Sequence, residues 1–145
     1  MQLNQSSDND VTVRMARTVF LETNGGASLS AVEAIASMIG NIHAATGRDF
    51  ESIANDEKIF KSATCLGEAK TDQQHVSAKR SEDGSAINEN SSAFQMCLRT
   101  VRRMMRGLLS DTAHGATRFH HADDMPEWAT GIGYVCEVDG MMFYF

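Results

Sequence analysis

Apolar positions recur at helical spacing in the first half of the chain and again after a long polar stretch, and near the end the period changes to two. From about Asp8 to Thr23, Val11, Met15, Thr18 and Glu22 follow at intervals of four, three and four, so they share one helical face, which Val19 and Phe20 widen. Asp8 or Asp10 can cap this helix at its start. Asn24-Gly25-Gly26 stops it, because glycine tolerates the left-handed backbone of a helix C-terminus.

A second helix is predicted from about Ser30 to Ala45, with Val32, Ile35, Ala36, Ile39 and His43 as its inner stripe. Ser28 or Ser30 can cap it, Glu33 stands three residues after Ser30 as in a capping box, and Gly47 ends it. A short helix follows around Phe50 to Ala54. From about Thr64 to Ser92 the chain is polar and without period, which reads as a long mobile loop. The next helix, about Ser92 to Leu109, turns Phe94, Cys97, Leu98, Val101, Met105 and Leu108 inward and Arg99, Arg102, Arg103 and Arg106 outward.

In "GYVCEVDGMMFYF" two apolar runs flank Asp139-Gly140, a hairpin signal, and "ATRFHH" is expected to add a third strand. The fold class expected is α+β, mainly helical, with a small C-terminal antiparallel sheet.

Composition narrows the partners. A single domain fits 145 residues, and the net charge of −6 argues against nucleic acid, which demands a basic surface. No apolar run approaches the roughly 18 residues of a membrane span. The polar start "MQLNQSSDND" carries no basic residue and is not a secretory signal as written. Cys65, Cys97 and Cys136 form no CxxC pair. One disulfide and three buried thiols are both open.

Two places carry candidate chemistry. Glu22 continues an apolar stripe at the last turn of its helix. Burial without a cation would raise its carboxyl pKa and suit it to act as a general acid, whereas at a frayed helix end it would bend outward. "GATRFHHADDMPEWA" gathers His120, His121, Asp123, Asp124, Phe119 and Trp128, the chain's only tryptophan. It can be read as a zinc site, as a carbohydrate cleft or as plain surface loop. Zinc would use His114, His120 and His121 with Asp123, but adjacent strand residues point to opposite faces, so His120 and His121 cannot share one metal from a regular strand. No HExxH motif is present either.

"ARTVFLETNGGASLSAVEAIASMIGNIHA", "GATRFHHADDMPEWA" and "GMMFYF" together resemble the bacterial cell-wall hydrolase family that includes the spore-cortex-lytic enzymes. In that family an aromatic-containing helix ends in Glu-Ala-Arg-Gly and the next ends in Asn-Arg-Val. The counterparts here are Glu22, Thr23, Asn24 and Gly25, then Asn41, Ile42 and His43. The closing segment resembles the family's Gly-Ala-Thr-His-Phe-His run with its Trp-Ala, and its final Val-Phe-Tyr. The chain departs from the pattern at Asn24 and Gly26, where the family has Arg and Glu, and no counterpart of its middle aromatic motif is found in "IFKSATCLGEAK".

The resemblance implies a lysozyme-like fold and cleavage of peptidoglycan glycan strands between N-acetylmuramic acid and N-acetylglucosamine. It points to a lytic transglycosylase in which Glu22 is the one catalytic carboxyl, with Asn41, Phe119, His120, Trp128 and Tyr144 binding substrate and no metal or cofactor. A hydrolase would add a second carboxylate, about 5 Å away for retention or about 6.5–9.5 Å for inversion, with Asp123 or Asp124 on offer. A monomer acting in the cell envelope is expected, with its export signal removed or of another kind. Two other classes stay open, a zinc-dependent cell-wall amidase and an inactive wall-binding module. His43 reads first as a hydrogen-bonded core histidine, and the four arginines as a solvated face or an attractor of anionic stem peptides.

Overall fold

The computed structural model describes residues 2–60, 87–124, 126–129 and 133–145. Among these, four helices precede a three-stranded antiparallel sheet, so the chain is α+β: α1 (Gln2–Glu22), α2 (Leu29–Thr46), α3 (Phe50–Ala54), α4 (Ser92–Met105), β1 (Arg118–His121), β2 (Tyr134–Val138) and β3 (Met141–Tyr144). Most of the polar stretch at about 64–92, and Cys65 with it, lies outside the described residues. Its last residues do pack: Ile87 lies against the core, and the Ser91 hydroxyl caps α4 by accepting the Phe94 N–H at 3.1 Å.

Helix α1 begins at Gln2, ahead of the expected caps Asp8 and Asp10, because the polar run before them holds no glycine or proline to stop it. Helix α2 is capped by Ser28, whose Oγ accepts the Ala31 N–H at 3.0 Å. Ser30 and Glu33 therefore lie inside the helix rather than forming a capping box. Gly47, at φ 76°, closes α2 as expected. His43 departs from its predicted inner stripe. It is exposed, its ring stacks on Phe50 at 4.2 Å, and its Nδ1–H donates to the Arg48 carbonyl at 2.7 Å. Helix α4 stops at Met105, before Gly107 at φ 73°, which leaves Leu108 64 % exposed instead of inward. Met104 takes the buried place expected of Met105. Arg99, Arg102, Arg103 and Arg106 are exposed.

The core joins all these elements. Met15 and Val19 of α1, Ile35 and Ile39 of α2, Ile53 of α3, Phe94 and Val101 of α4, and Met141 and Phe143 of β3 are buried together. Each large side chain of this kind contributes roughly 1.5–3 kcal/mol by leaving water.

Strand β3 lies between β1 and β2. The Asp139-Gly140 turn has φ 48° and 81°, the type I′ geometry that its sequence predicts. Phe119 pairs across with Phe143, and His121 with Met141, which puts these four on the core face. Arg118, His120, Met142 and Tyr144 take the other face.

Candidate functional site

Glu22 is the last residue of α1, and it is 4 % exposed. The turn that follows fixes it there. Asn24, Gly25 and Gly26 all take left-handed backbone, with φ 56°, 78° and 69°. A Cβ on Gly26 would stand 3.3 Å from the Ala93 carbonyl oxygen and 3.5 Å from Cys97 Sγ, so this glycine lets the end of α1 lie directly against the first turn of α4. Thr23 seals the helix end by donating its hydroxyl to the Val19 carbonyl at 2.7 Å.

Across from Glu22 stands His121, the last residue of β1. Its Nε2 lies 3.0 Å from Glu22 Oε1, a hydrogen bond between residues 99 apart in the chain. The His121 side chain is 29 % exposed. The Phe119 ring braces it edge-on at 5.4 Å.

The pair separates two cavities. One, of about 360 Å³, is lined by Glu22 and His121 together with Glu57, Lys58, Ile59, Phe119, His120, Asp124, Pro126 and Trp128. The other, of about 250 Å³, has the same two residues on its wall, and is closed by Thr23, Asn24, Ala27, Ser28, Ala31, Asp139 and Met141. The Ser28 hydroxyl donates to the Asp139 carboxylate, which ties the start of α2 to the hairpin turn across this second cavity. Glu22 thus stands at the junction of two hollows, one walled partly by aromatic rings and one by short polar groups mixed with alanine and methionine.

The other predicted site residues divide. Phe119 and Trp128 reach the larger cavity. Phe119 is also a core residue, packed at 5.8 Å on both Phe60 and Phe143. His120 lines the same cavity but has both ring nitrogens engaged. Nδ1 lies 2.8 Å from the His121 carbonyl oxygen, which can only accept, so Nδ1 carries a proton. In the neutral ring Nε2 then accepts the Tyr144 O–H at 3.1 Å. Tyr144, 4 % exposed, lines neither cavity and underlies Trp128 edge to face at 5.2 Å. The Arg118 guanidinium lies 4.8 Å over the Trp128 ring and donates to the Phe145 backbone oxygen at 2.6 and 2.9 Å.

Asn41 is not brought to Glu22. Its Nδ2 donates to the Ala116 carbonyl at 3.1 Å and reaches Asp111 Oδ1 at 3.4 Å. The Asp111 carboxylate in turn accepts from the Ala113 and Gly115 N–H groups, at 2.9 and 2.8 Å. Asn41 therefore ties α2 to the turn that feeds β1.

Of the two aspartates offered as a second carboxylate, Asp124 lines the larger cavity and Asp123 lines neither. Glu57, Lys58, Ser28 and Asp139 also reach the cavities, and reading the sequence did not single them out. Only their place after a short helix or in a cap or turn marks them. The sequence pattern offers His121 as a metal ligand, not as a partner of Glu22. Strand parity was the available signal, since a core-facing Phe119 forces His121 onto the same face. His120 and His121 do point to opposite faces, and among the described residues no group of three or more His, Cys, Asp or Glu stands where it could hold a metal ion.

Cys97 and Cys136 are free thiols. Burial pushes the Cys97 thiol up to about 11. Burial, and then the Asp111 carboxylate, raise that of Cys136 as well. Among the described residues no helix is long and apolar enough to cross a membrane.

No family model matches the chain, and neither does a curated protein or a solved structure.

Proposed function

We propose that this chain is a lysozyme-like enzyme that cuts peptidoglycan glycan strands between N-acetylmuramic acid and N-acetylglucosamine, as a lytic transglycosylase with Glu22 as its acid and then its base. One observation carries the reading. A carboxyl buried to 4 % exposure sits on the wall common to two cavities, the arrangement needed to act on a bond whose flanking units occupy both sides. The protonated Glu22 gives its proton to the glycosidic oxygen as the C1–O bond breaks. The 6-hydroxyl oxygen of the muramyl unit then bonds to C1, and its proton returns to Glu22. A 1,6-anhydro end results, and the enzyme is restored without a second carboxylate.

The Trp128 and Phe119 rings suit the C–H faces of a sugar, and Asn24, Ser28 and Asp139 in the second cavity suit its hydroxyl and acetamido groups. Asp124 and Glu57, on the wall of the larger cavity, support a second reading in which water replaces the 6-hydroxyl and the outcome is hydrolysis. The substrate would place the protein in the cell envelope, and it acts as a monomer in this reading.

The test is digestion of purified sacculi with mass spectrometry of the fragments. Transglycosylation gives 1,6-anhydro ends and hydrolysis gives reducing ends. An amidase would instead free stem peptides. Glu22→Gln keeps the shape of the residue and removes its titrating proton, so release should fall at least about a hundredfold while the fold survives. Activity within about threefold of wild type overturns the assignment of Glu22.

A further inference from the structure

We propose that His121 is the positioning residue of Glu22, holding Oε1 by an Nε2–H donor so that Oε2 presents the acid's proton to the substrate. The proposal rests on the glycan-cleaving reading above and deepens it. Its footing is the 3.0 Å contact between His121 Nε2 and Glu22 Oε1, made at the one wall that both cavities share.

The geometry gives His121 little choice of place. Backbone pairing sets it opposite Met141, and the Phe119 ring closes one side of the imidazole. Glu22 is fixed just as firmly by the end of α1 and the close approach at Gly26. The two side chains are therefore pre-set with respect to each other, at no ordering cost when substrate arrives.

A carboxyl group has two oxygens, and the acid step needs one of them for the substrate. With neutral His121 donating from Nε2, Oε1 is the acceptor and Oε2 carries the proton. As that proton passes to the glycosidic oxygen, Glu22 gains a negative charge and the Nε2–H bond becomes charge-assisted. The bond is stronger after proton transfer has begun than before it, and only such a difference accelerates the chemical step. In the second half-step the same donor keeps Oε1 occupied while Oε2 takes the 6-hydroxyl proton. No net proton leaves the pair over the cycle.

An imidazolium at this distance would favour the ionised carboxyl, so the donor that suits the acid step is the neutral ring. Other charged groups face the pair across the cavities: Glu57 and Lys58 beyond α3, Asp124 after β1, and Asp139 at the β2–β3 turn. The first turn of α2 contributes Ala31 and no titratable group, and His120, on the other face of β1, also lines the larger cavity.

Three variants and one spectroscopic measurement test this. His121→Ala removes the donor. On soluble peptidoglycan glycan fragments it should lower kcat about ten- to a hundredfold, the worth of one hydrogen bond to a charged group, with KM held within about threefold. His121→Gln restores an N–H donor that cannot titrate. It should recover most of kcat, which a merely space-filling role for the ring would not produce. NMR of the imidazole rings at working pH should show wild-type His121 protonated at Nε2, with that proton protected from exchange, and the protection lost in Glu22→Ala. The inference is overturned if His121→Ala matches wild type, if a folded His121→Gln is as impaired as His121→Ala, or if the proton resides on Nδ1. A wild-type protein that releases no glycan fragments at all overturns instead the reading on which the inference rests.

Discussion

His120 and His121 are neighbours in the chain and opposites in the fold. His121 faces the helices and meets Glu22 on the wall of both cavities. His120 faces away, and its two nitrogens are held by the His121 carbonyl and the Tyr144 hydroxyl, beneath Trp128. One imidazole stands beside a buried carboxyl, while the other has both nitrogens engaged in a polar network with Tyr144. The residue type is the same, and so is the strand. The period of two along β1 gives the two rings opposite faces and different partners, although both line the larger cavity. Two adjacent histidines in a sequence thus suggest a shared ligand that a strand forbids.

The sharpest way to break this contrast is to remove each ring in turn. His120→Ala takes from the buried Tyr144 hydroxyl the ring nitrogen it donates to, leaves the His121 carbonyl with the Asp124 N–H as its donor, and removes the ring stacked at 5.4 Å on Tyr144. Leaving that hydroxyl unpaired and losing the ring should cost roughly 2–3 kcal/mol, read as a lower urea midpoint. Activity per folded molecule should stay within about threefold of wild type, because neither nitrogen is offered to substrate. His121→Ala should behave the other way, with a larger loss of turnover than of stability. If His120→Ala instead unfolds at the wild-type midpoint and loses turnover, the roles are exchanged and the back face of the sheet carries the chemistry.

The sequence pattern made some of this visible and hid the rest for physical reasons. Asp139-Gly140 is a local signal, since few residue pairs accept two positive φ angles in succession, and the hairpin formed where expected. The stripe Val11-Met15-Thr18-Glu22 likewise led to a buried Glu22, because helical period and burial agree over the last turn of α1. His43 lay on an equally good stripe and came out exposed, since α2 ends in solvent at Gly47 and the core does not extend that far. Asn41 was drawn to the substrate by resemblance, yet its amide is spent on Ala116 and Asp111. The Glu22–His121 bond spans 99 residues and is set by how β1 docks on the end of α1, which no local pattern encodes. Most of the polar middle of the chain, whose composition reads as a long mobile loop, lies outside the described residues.

A smaller effect tests how the site end of α1 is held, against the softer back face. Gly26→Ala puts a Cβ at 3.3 Å from the Ala93 carbonyl, in a left-handed conformation that L-residues resist. The conformational cost alone is about 1–2 kcal/mol, and the backbone contact adds to it. Part of the response should be a shift of Glu22 relative to His121. Turnover should drop more than the small loss of stability explains, and His121 Nε2–H protection should weaken in the same variant. Gly140→Ala meets no atom within 4 Å. It carries the same backbone penalty without the displacement, so it should lower stability and spare turnover. Equal turnover losses in the two variants would show that the close packing at Gly26 does not govern the site.

The smallest expected effect is an absence of reaction, and it probes the same packed end from inside. Cys97 lies against Gly26 in the core, and burial raises its thiol to about 11. The thiolate is the reactive form, so at pH 8 only a small fraction of Cys97 would be ionised even if a reagent reached it. Cys136 is only half-buried, and its thiol is also raised, by burial first and Asp111 second. Iodoacetamide at pH 8, followed by peptide mass mapping, should therefore leave Cys97 unmodified in the folded protein and modify Cys136 slowly. Raising the pH toward 10 should increase labelling of Cys136 well before that of Cys97. In Gly26→Ala, where the first turn of α4 must give way, Cys97 should become measurably more reactive while Cys136 keeps its wild-type rate. Rapid labelling of Cys97 in the unaltered protein at pH 8 would mean that this end of the helix pair opens often. A Glu22 carboxyl fixed by that packing would then have no fixed place from which to act.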